Sequence, residues 1–280
     1  MTKLIYIGGY GRSGSTLLEY LLATHPEVVA CGEVERHLRR FGRRKICTCR
    51  QRMQDCPVWS PFQHTEKDLK GWSHEQLTLA LLDHVSRDYS VMVDSSKTAW
   101  RSTFIPIRLR RKLGADFLLV HIVRDPRGVS WSAIRTRWRP KQGRYDSATT
   151  ATLRAAFGWN AANLACELFG WRYPNNYLRV RYEDLAGAPR QVIEEIYRRV
   201  GLSSPADSNE PHNNRHQLYG NRMRFKQVSV SDLKEDIVWK TAMPKGYRWL
   251  VGSLCWPFLS RYDYGAIGNP APAKKWESDA

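Results

Sequence analysis

Tyr6-Ile7-Gly8-Gly9-Tyr10-Gly11-Arg12-Ser13-Gly14-Ser15-Thr16-Leu17-Leu18 is the stretch whose reading decides the fold. An apolar strand over residues 4–7 runs into a glycine-rich turn, and leucines at 17, 18, 21 and 22 mark a helix after it. The backbone N–H groups of such a turn, backed by the positive end of a helix, form a nest for a phosphate-like anion. Gly9 and Gly14 have the spacing of a Walker A loop, but Ser15 stands where that motif places lysine. The cation lies inside the loop instead, at Arg12. The turn therefore suits the phosphates of a nucleotide, without the usual arrangement for the γ-phosphate of ATP or GTP.

A second cluster repeats this logic. Residues 117–123 (FLLVHIV) read as a fully buried strand with one polar interruption. The strand ends in Arg124-Asp125-Pro126-Arg127-Gly128, and the proline suits the first turn of a helix. Ser132 follows two turns into that helix and Arg135 one turn further. A guanidinium and a hydroxyl beyond the carboxyl end of a parallel strand make a second anion pocket. Asp125 reads more simply, as an Arg–Asp pair tying down the turn.

The chain alternates strand and helix: strand 4–7, helix 14–24, strand 28–30, an irregular insert over about 34–73, helix 75–87 and strand 91–94. Helix 103–113, strand 117–123, helix 127–137, a long helix 149–171, strand 177–181 and helix 188–200 complete the series. This order predicts an α/β fold, a P-loop-like three-layer arrangement with a central parallel sheet flanked by helices. Residues 1–268 read as one domain and 269–280, rich in Pro, Ala and charge, as a disordered tail. Arg12, Glu33, Lys97, Arg124 and Ser132 all follow strands, so they are expected to converge on one crevice.

With these pieces in place, the chain resembles the sulfotransferases that use 3′-phosphoadenosine 5′-phosphosulfate, of the bacterial and carbohydrate type. Gly11, Arg12, Ser13, Gly14, Ser15 and Thr16 resemble their 5′-phosphosulfate loop, and Arg124 with Ser132 their 3′-phosphate element. His25-Pro26-Glu27-Val28 followed by Cys31-Gly32-Glu33 is similar to a segment of tyrosylprotein sulfotransferases, in which the matching glutamate is the catalytic base. Asp94-Ser95-Ser96-Lys97 resembles a segment whose lysine contacts the transferring group. Arg181-Tyr182-Glu183-Asp184-Leu185 and residues 216–225 (HQLYGNRMRF) look like late landmarks of the family, departing from it at Arg222, where proline is usual. The resemblance spans residues 4–225. It implies catalytic roles for Glu33, Lys97 and Arg12, and contacts to the donor from Tyr182, His216, Gly220, Asn221 and Arg224. It implies no metal in the transfer: the sulfate carries one charge, which protein cations can meet. The acceptor hydroxyl (glycan, lipid-linked sugar, small molecule or tyrosine) stays open. For Glu33 the plainer alternative is a structural pair with Arg36 or His37; for Lys97, a surface charge; for His216 and Arg224, a role within their loop.

A formal charge of +17 and a pI near 9.8 favour anionic partners, among them a doubly phosphorylated donor, an anionic acceptor or a membrane surface. A non-enzymatic polyanion-binding module would share that charge, and a P-loop kinase or NTPase would share the loop. The module leaves both strand-end pockets unexplained, Ser15 at the lysine position speaks against the kinase or NTPase, and no nucleic-acid partner is expected. Met1-Thr2-Lys3 is too short for a leader, and the apolar run 249–259 is too short to span a bilayer. A cytoplasmic protein is expected. The run carries Trp249, Trp256 and Phe258 between Arg248 and Arg261, and reads as a packed C-terminal helix or as a peripheral membrane contact. Arg36, Arg39, Arg40, Arg43, Arg44 and Trp59 in one loop, and Arg139, Lys141 and Arg144 in another, are solvated basic faces or an acceptor entrance. Cys47, Cys49 and Cys56 leave three readings open: zinc with Cys31 or His64 as fourth ligand, a disulfide, or reduced buried thiols.

Overall fold

The computed structural model describes residues 2–39, 46–62, 71–99, 102–137, 147–204, 214–220, 222–226 and 233–267. Five strands, β1 (Lys3–Gly8), β2 (Val28–Gly32), β3 (Val91–Asp94), β4 (Phe117–Val123) and β5 (Tyr177–Arg181), pair in parallel in the order β2-β3-β1-β4-β5. The helices are α1 (Ser15–Leu22), α2 (Val34–Arg39), α3 (His74–Val85), α4 (Ile105–Leu113), α5 (Pro126–Arg137) and α6 (Ala148–Arg172). After β5 come α7 (Tyr182–Gly187), α8 (Pro189–Val200), α9 (Val238–Ala242), α10 (Lys245–Leu254) and α11 (Trp256–Arg261).

The period-two alternation of strand side chains divides the core between two faces. Ile5, Ile7, Val28, Ala30, Val93, Val120 and Ile122 turn toward α1 and α8, where Leu18, Leu22, Val192 and Ile196 meet them. Leu4, Tyr6, Val29, Met92, Phe117 and Leu119 face the other way, against Leu77 and Leu81 of α3, Leu109 of α4 and Trp59 of the insert. A third cluster joins Val123 and Val129 to Trp159 of α6 and to Val251, Cys255 and Leu259 of the C-terminal helices. The expected parallel three-layer architecture is thus present. The sequence reading missed α2 at the head of the insert, together with α7 and α9. Short helices carry little periodic signal, and these are held by their neighbours.

The run 249–259 is split between α10 and α11, which bury Val251, Cys255 and Leu259 and leave Trp249 and Trp256 59% and 60% exposed. No helix among the described residues is long and apolar enough to cross a membrane. Arg40, Arg43, Arg44, Arg139, Lys141, Arg144, His64, Asn221 and the 269–280 tail lie outside the described residues, and so does the side chain of Arg39.

Strand order places the switch in chain direction between β1 and β4: the connections from β1 lead to one side of the sheet and those from β4 to the other. Ligand crevices form beyond the carboxyl ends of strands at such a point. The two strands approach so closely there that a Cβ on Gly9, at φ +107°, would lie 2.3 Å from the Ile122 carbonyl oxygen. Gly9→Ala combines a left-handed backbone with an overpacked main chain. It should cost about 2–5 kcal/mol, read as a lower urea midpoint with unchanged slope.

Candidate functional site

The loop from Gly9 to Gly14 leaves β1 and caps α1. Gly14 is the N-cap residue at φ 95°, ψ 6°, and no side chain closes the helix end. The first-turn N–H groups therefore face outward, as an anion needs. Arg12 is also in the left-handed region, at φ 76°, a strained state for a residue with a Cβ. Ser13 Oγ is buried and finds no hydrogen-bond partner among the described residues. In front of the loop the space is open: a Cβ on Gly11 would meet nothing within 4 Å. Behind it, a Cβ on Gly14 would collide with the Tyr182 ring at 2.6 Å. Ser15 and Thr16 begin α1, with Ser15 buried. An outward-facing helix end, an orphaned hydroxyl and clear space in front fit a phosphate group.

Arg124, 6% exposed, leaves the end of β4 and reaches back to this loop, its Nη1 donating to the Arg12 carbonyl at 3.3 Å. Its guanidinium lies over the Tyr182 ring at 4.4 Å and pairs with the Asp236 carboxylate at 3.1 Å. Arg135, one face along α5, approaches the same carboxylate at 3.5 Å. Asp236 thus holds an anion between two guanidiniums at the rim of the loop, with its N–H donating to the Tyr182 hydroxyl at 3.1 Å. Ser132 is half-buried on α5, on the segment between the two arginines. Asp125 pairs in bidentate fashion with Arg127, whose guanidinium also binds the Tyr264, Ala266 and Ile267 carbonyls. That pair ties down a turn, as its sequence suggested.

Glu33 and Lys97 meet beyond β2 and β3, with Lys97 Nζ 2.6 Å from Glu33 Oε1. Arg36 Nε lies 2.5 Å from the other oxygen, so the structural pair and the lysine pair coexist on one carboxylate. Burial would push the Glu33 carboxyl up, but Lys97 and Arg36 outweigh it and hold it below the ordinary glutamate value. Lys97 is not a loose surface charge: its backbone sits at φ 70°, its N–H binds the Ile7 carbonyl at 3.1 Å, and its carbonyl accepts from Tyr6. Asp94 sets up this turn, accepting from the Ser96 N–H and hydroxyl and from Thr78, with His74 on the same oxygen. The lysine is thereby fixed to the strand that launches the anion loop.

Glu19 is a functional neighbour that sequence reasoning missed. Fully buried on α1, it accepts the Gly32 N–H at 2.6 Å, immediately before Glu33. Burial raises its carboxyl to about 7, against the opposing pull of Ser95, Gly32, Gln217 and Lys97. The only sequence signal was a carboxylate among leucines. A carboxyl raised in the folded state stabilises the fold most below its unfolded value near 4.5 and loses that contribution as pH climbs through about 7. Glu19→Gln keeps the acceptor for Gly32 and removes the titration. Its stability relative to the native protein should therefore grow by a few kcal/mol between pH 4.5 and 8, checked by urea unfolding across that range.

The late residues divide. Arg224 donates to the Gly220 carbonyl at 3.1 Å, with Gly220 at φ +144°, and its charge is within electrostatic reach of Glu33. Arg224 thus stands on the carboxylate side of the site. His216 does not join the anion loop; it is buried, with Nδ1 3.3 Å from Cys56 Sγ. Its segment lies beside β2, where Ala30 bridges Arg215 in parallel.

With this geometry in view, comparison with known proteins is decisive. Residues 5–206 match the model of the sulfotransferase family. The chain belongs to that family. Among solved structures, the sulfotransferase domain from the curacin biosynthetic pathway superposes with a TM-score of 0.62 at 19% identity, covering 95% of this chain and 98% of that one. The sulfotransferase domain of the Synechococcus PCC 7002 olefin synthase gives 0.52 at 20% identity over 92% and 94%. Mouse sulfotransferase SULT7A1, complexed with PAP, gives 0.52 at 11% identity over 95% and 86%. At such identities the likeness is one of fold. No curated protein matches the chain in sequence. Family membership sets aside the kinase and polyanion-module alternatives.

Proposed function

We propose that this sulfotransferase takes its sulfuryl group from 3′-phosphoadenosine 5′-phosphosulfate and delivers it to an acceptor hydroxyl, with Glu33 as base. The observation that supports the reading best is the Arg124 contact to the Arg12 carbonyl, which brings the arginine after β4 against the loop after β1. A donor with phosphates at both the 5′ and 3′ positions needs two such pockets side by side. Arg12 and the open N–H groups of Gly14 to Thr16 suit the 5′ end; Arg124, Ser132 and Arg135 suit the 3′ phosphate, with Asp236 keeping that place until it is displaced.

When bound, the donor supplies the sulfuryl group and an anionic phosphate as leaving group, so that an acceptor O–S bond forms as the S–O bond to phosphate breaks. The chain's own part is electrostatic and positional. Glu33, held ionised by Lys97 and Arg36, accepts the acceptor's hydroxyl proton as that oxygen becomes acidic during attack. Protonation of Glu33 leaves the Lys97 ammonium without its counter-charge. The positive charge is thereby released when negative charge gathers on the leaving side, which couples base and cation in one step. No metal enters this scheme, and the acceptor class is set by whatever enters beside Glu33 and Arg224.

Donor binding tests the reading directly. Adenosine 3′,5′-bisphosphate should raise the melting temperature of the native protein where ATP does not, and Arg124→Ala should abolish that rise. A protein stabilised equally by both nucleotides would overturn the donor assignment.

A further inference from the structure

Cys47, Cys49 and Cys56 come from the described stretch 46–62 of the insert, which holds one isolated bridge, Ile46 to Arg52, and two single 3-10 turns, Met53–Asp55 and Ser60–Phe62. The chain brings His216 to these three sulfurs from 160 residues beyond Cys56. One ligand-capable atom from each of the four residues lies within 4.8 Å of the others. Cys56 Sγ is 3.6 Å from Cys47 Sγ and 3.3 Å from His216 Nδ1. A tetrahedral zinc about 2.3 Å from sulfur and about 2.0 Å from imidazole nitrogen sets its ligand atoms roughly 3.5–3.8 Å apart. Two of the separations are thus close to those of such a tetrahedron, and the other donors lie within 4.8 Å.

We propose that Cys47, Cys49, Cys56 and His216 form a structural zinc site that fastens the insert to the strand-like segment 214–217. Three thiolates and one imidazole are the donor set of a closed, tetrahedral zinc site, with no position left for water. Cys47, Cys56 and His216 are buried, which suits a structural rather than a catalytic ion. Three thiolates and a neutral imidazole around one divalent zinc leave the complex with one net negative charge. None of the six cysteines forms a disulfide, so no covalent cross-link holds this irregular loop.

The surrounding contacts show what the ion would secure. Thr48, between two of the cysteines, donates to the Arg215 carbonyl at 2.5 Å and accepts the Gln217 N–H at 2.8 Å. Trp59 Nε1 donates to the His216 carbonyl at 2.5 Å. Arg215 in turn holds the Arg224 carbonyl at 3.0 Å, on the carboxylate side of the transfer site. Zinc here would position the loop that carries Arg224 without touching either substrate. The fourth ligand, His216, is one that only the fold supplies. Cys31 is not one of the four clustered residues, and His64 lies outside the described residues.

The test reads metal content and is independent of sulfuryl transfer. Untagged native protein from zinc-supplemented culture should carry one zinc per chain by native mass spectrometry, and the same amount should be released by a thiol-reactive mercurial. The cobalt-substituted protein should show the visible bands of a tetrahedral ion and thiolate-to-cobalt charge transfer. Changing an outer partner of a metal ligand weakens binding by about 10–100-fold, so Cys56→Ser and His216→Ala, which remove ligands, should weaken zinc by ~100-fold or more in competition with a chelator. Cys255→Ser, a buried thiol in another part of the core, should keep full occupancy. Native protein that takes up no zinc, full occupancy in both ligand variants, or a Cys47–Cys56 disulfide in the peptide map would each overturn the proposal. Should the ligand variants fail to fold, the stoichiometry and cobalt spectrum of the native protein decide it.

Discussion

Glu33→Gln should lower turnover by about 10²–10⁴-fold, the usual worth of a positioned general base, and leave the affinity for adenosine 3′,5′-bisphosphate essentially unchanged. The prediction is sharp because glutamine keeps the shape and acceptor oxygen of the side chain while losing the charge that Lys97 and Arg36 hold in place. Two readings of this carboxylate make opposite forecasts. If Glu33 only ties Arg36 and Lys97 together, the variant unfolds earlier but keeps its turnover. If it takes the acceptor's proton, turnover collapses at constant donor affinity. Because the Glu33 carboxyl lies below its ordinary value, the ion pairs contribute stability above that value, and this contribution is lost as pH falls through the folded-state value. The acid limb of the rate profile should sit correspondingly low in the native enzyme. Steady-state kinetics with labelled donor, alongside calorimetric titration of the bisphosphate, separates the two. A variant with native turnover would end the case for Glu33 as base.

The second large effect concerns the donor. Arg124→Ala removes a buried guanidinium, and each charge-assisted hydrogen bond to a phosphate contributes roughly 1.5–3 kcal/mol, about 10–150-fold in affinity per bond. Asp236→Asn should act in the opposite direction. Its carboxylate sits 3.1 Å from Arg124 and 3.5 Å from Arg135, where the proposed 3′ phosphate would compete with it. The Asp236 side chain is 32% exposed, so the competing pair is worth at most about 1 kcal/mol, and the bisphosphate should bind up to ~5-fold tighter. Opposite signs from two residues in one contact are hard to obtain by general destabilisation. Native affinity in Arg124→Ala, or weaker binding in Asp236→Asn, would remove the 3′-phosphate assignment.

Much of the site was legible from local pattern. Arg12, Glu33, Lys97 and Arg124 each follow a strand, and parallel strands deliver their following residues to one edge of the sheet; the structure sets all four there. What could not be read were residues whose role depends on a distant partner. Glu19 is one helical leucine-run carboxylate until Gly32, Ser95 and Gln217 gather around it. Asp236 is one acid in a polar stretch until it meets Arg124 and Arg135. His216 read as a donor contact because its segment resembled one, yet the packing of that segment beside β2 turns it to Cys56.

By itself the sequence determined the order of strands and helices, the parallel sheet and the glycine-rich turn after its first strand, because hydrophobic periodicity and glycine-rich turns act over a few neighbouring residues. The tertiary structure alone decided which charges face each other: Lys97 against Glu33, Asp236 against Arg124, and His216 against three cysteines. Those pairings join segments as much as 160 residues apart for Cys56 and His216, and further for Cys47 and Cys49. Their energy depends on distance and burial in three dimensions, and neither quantity is encoded in the spacing along the chain.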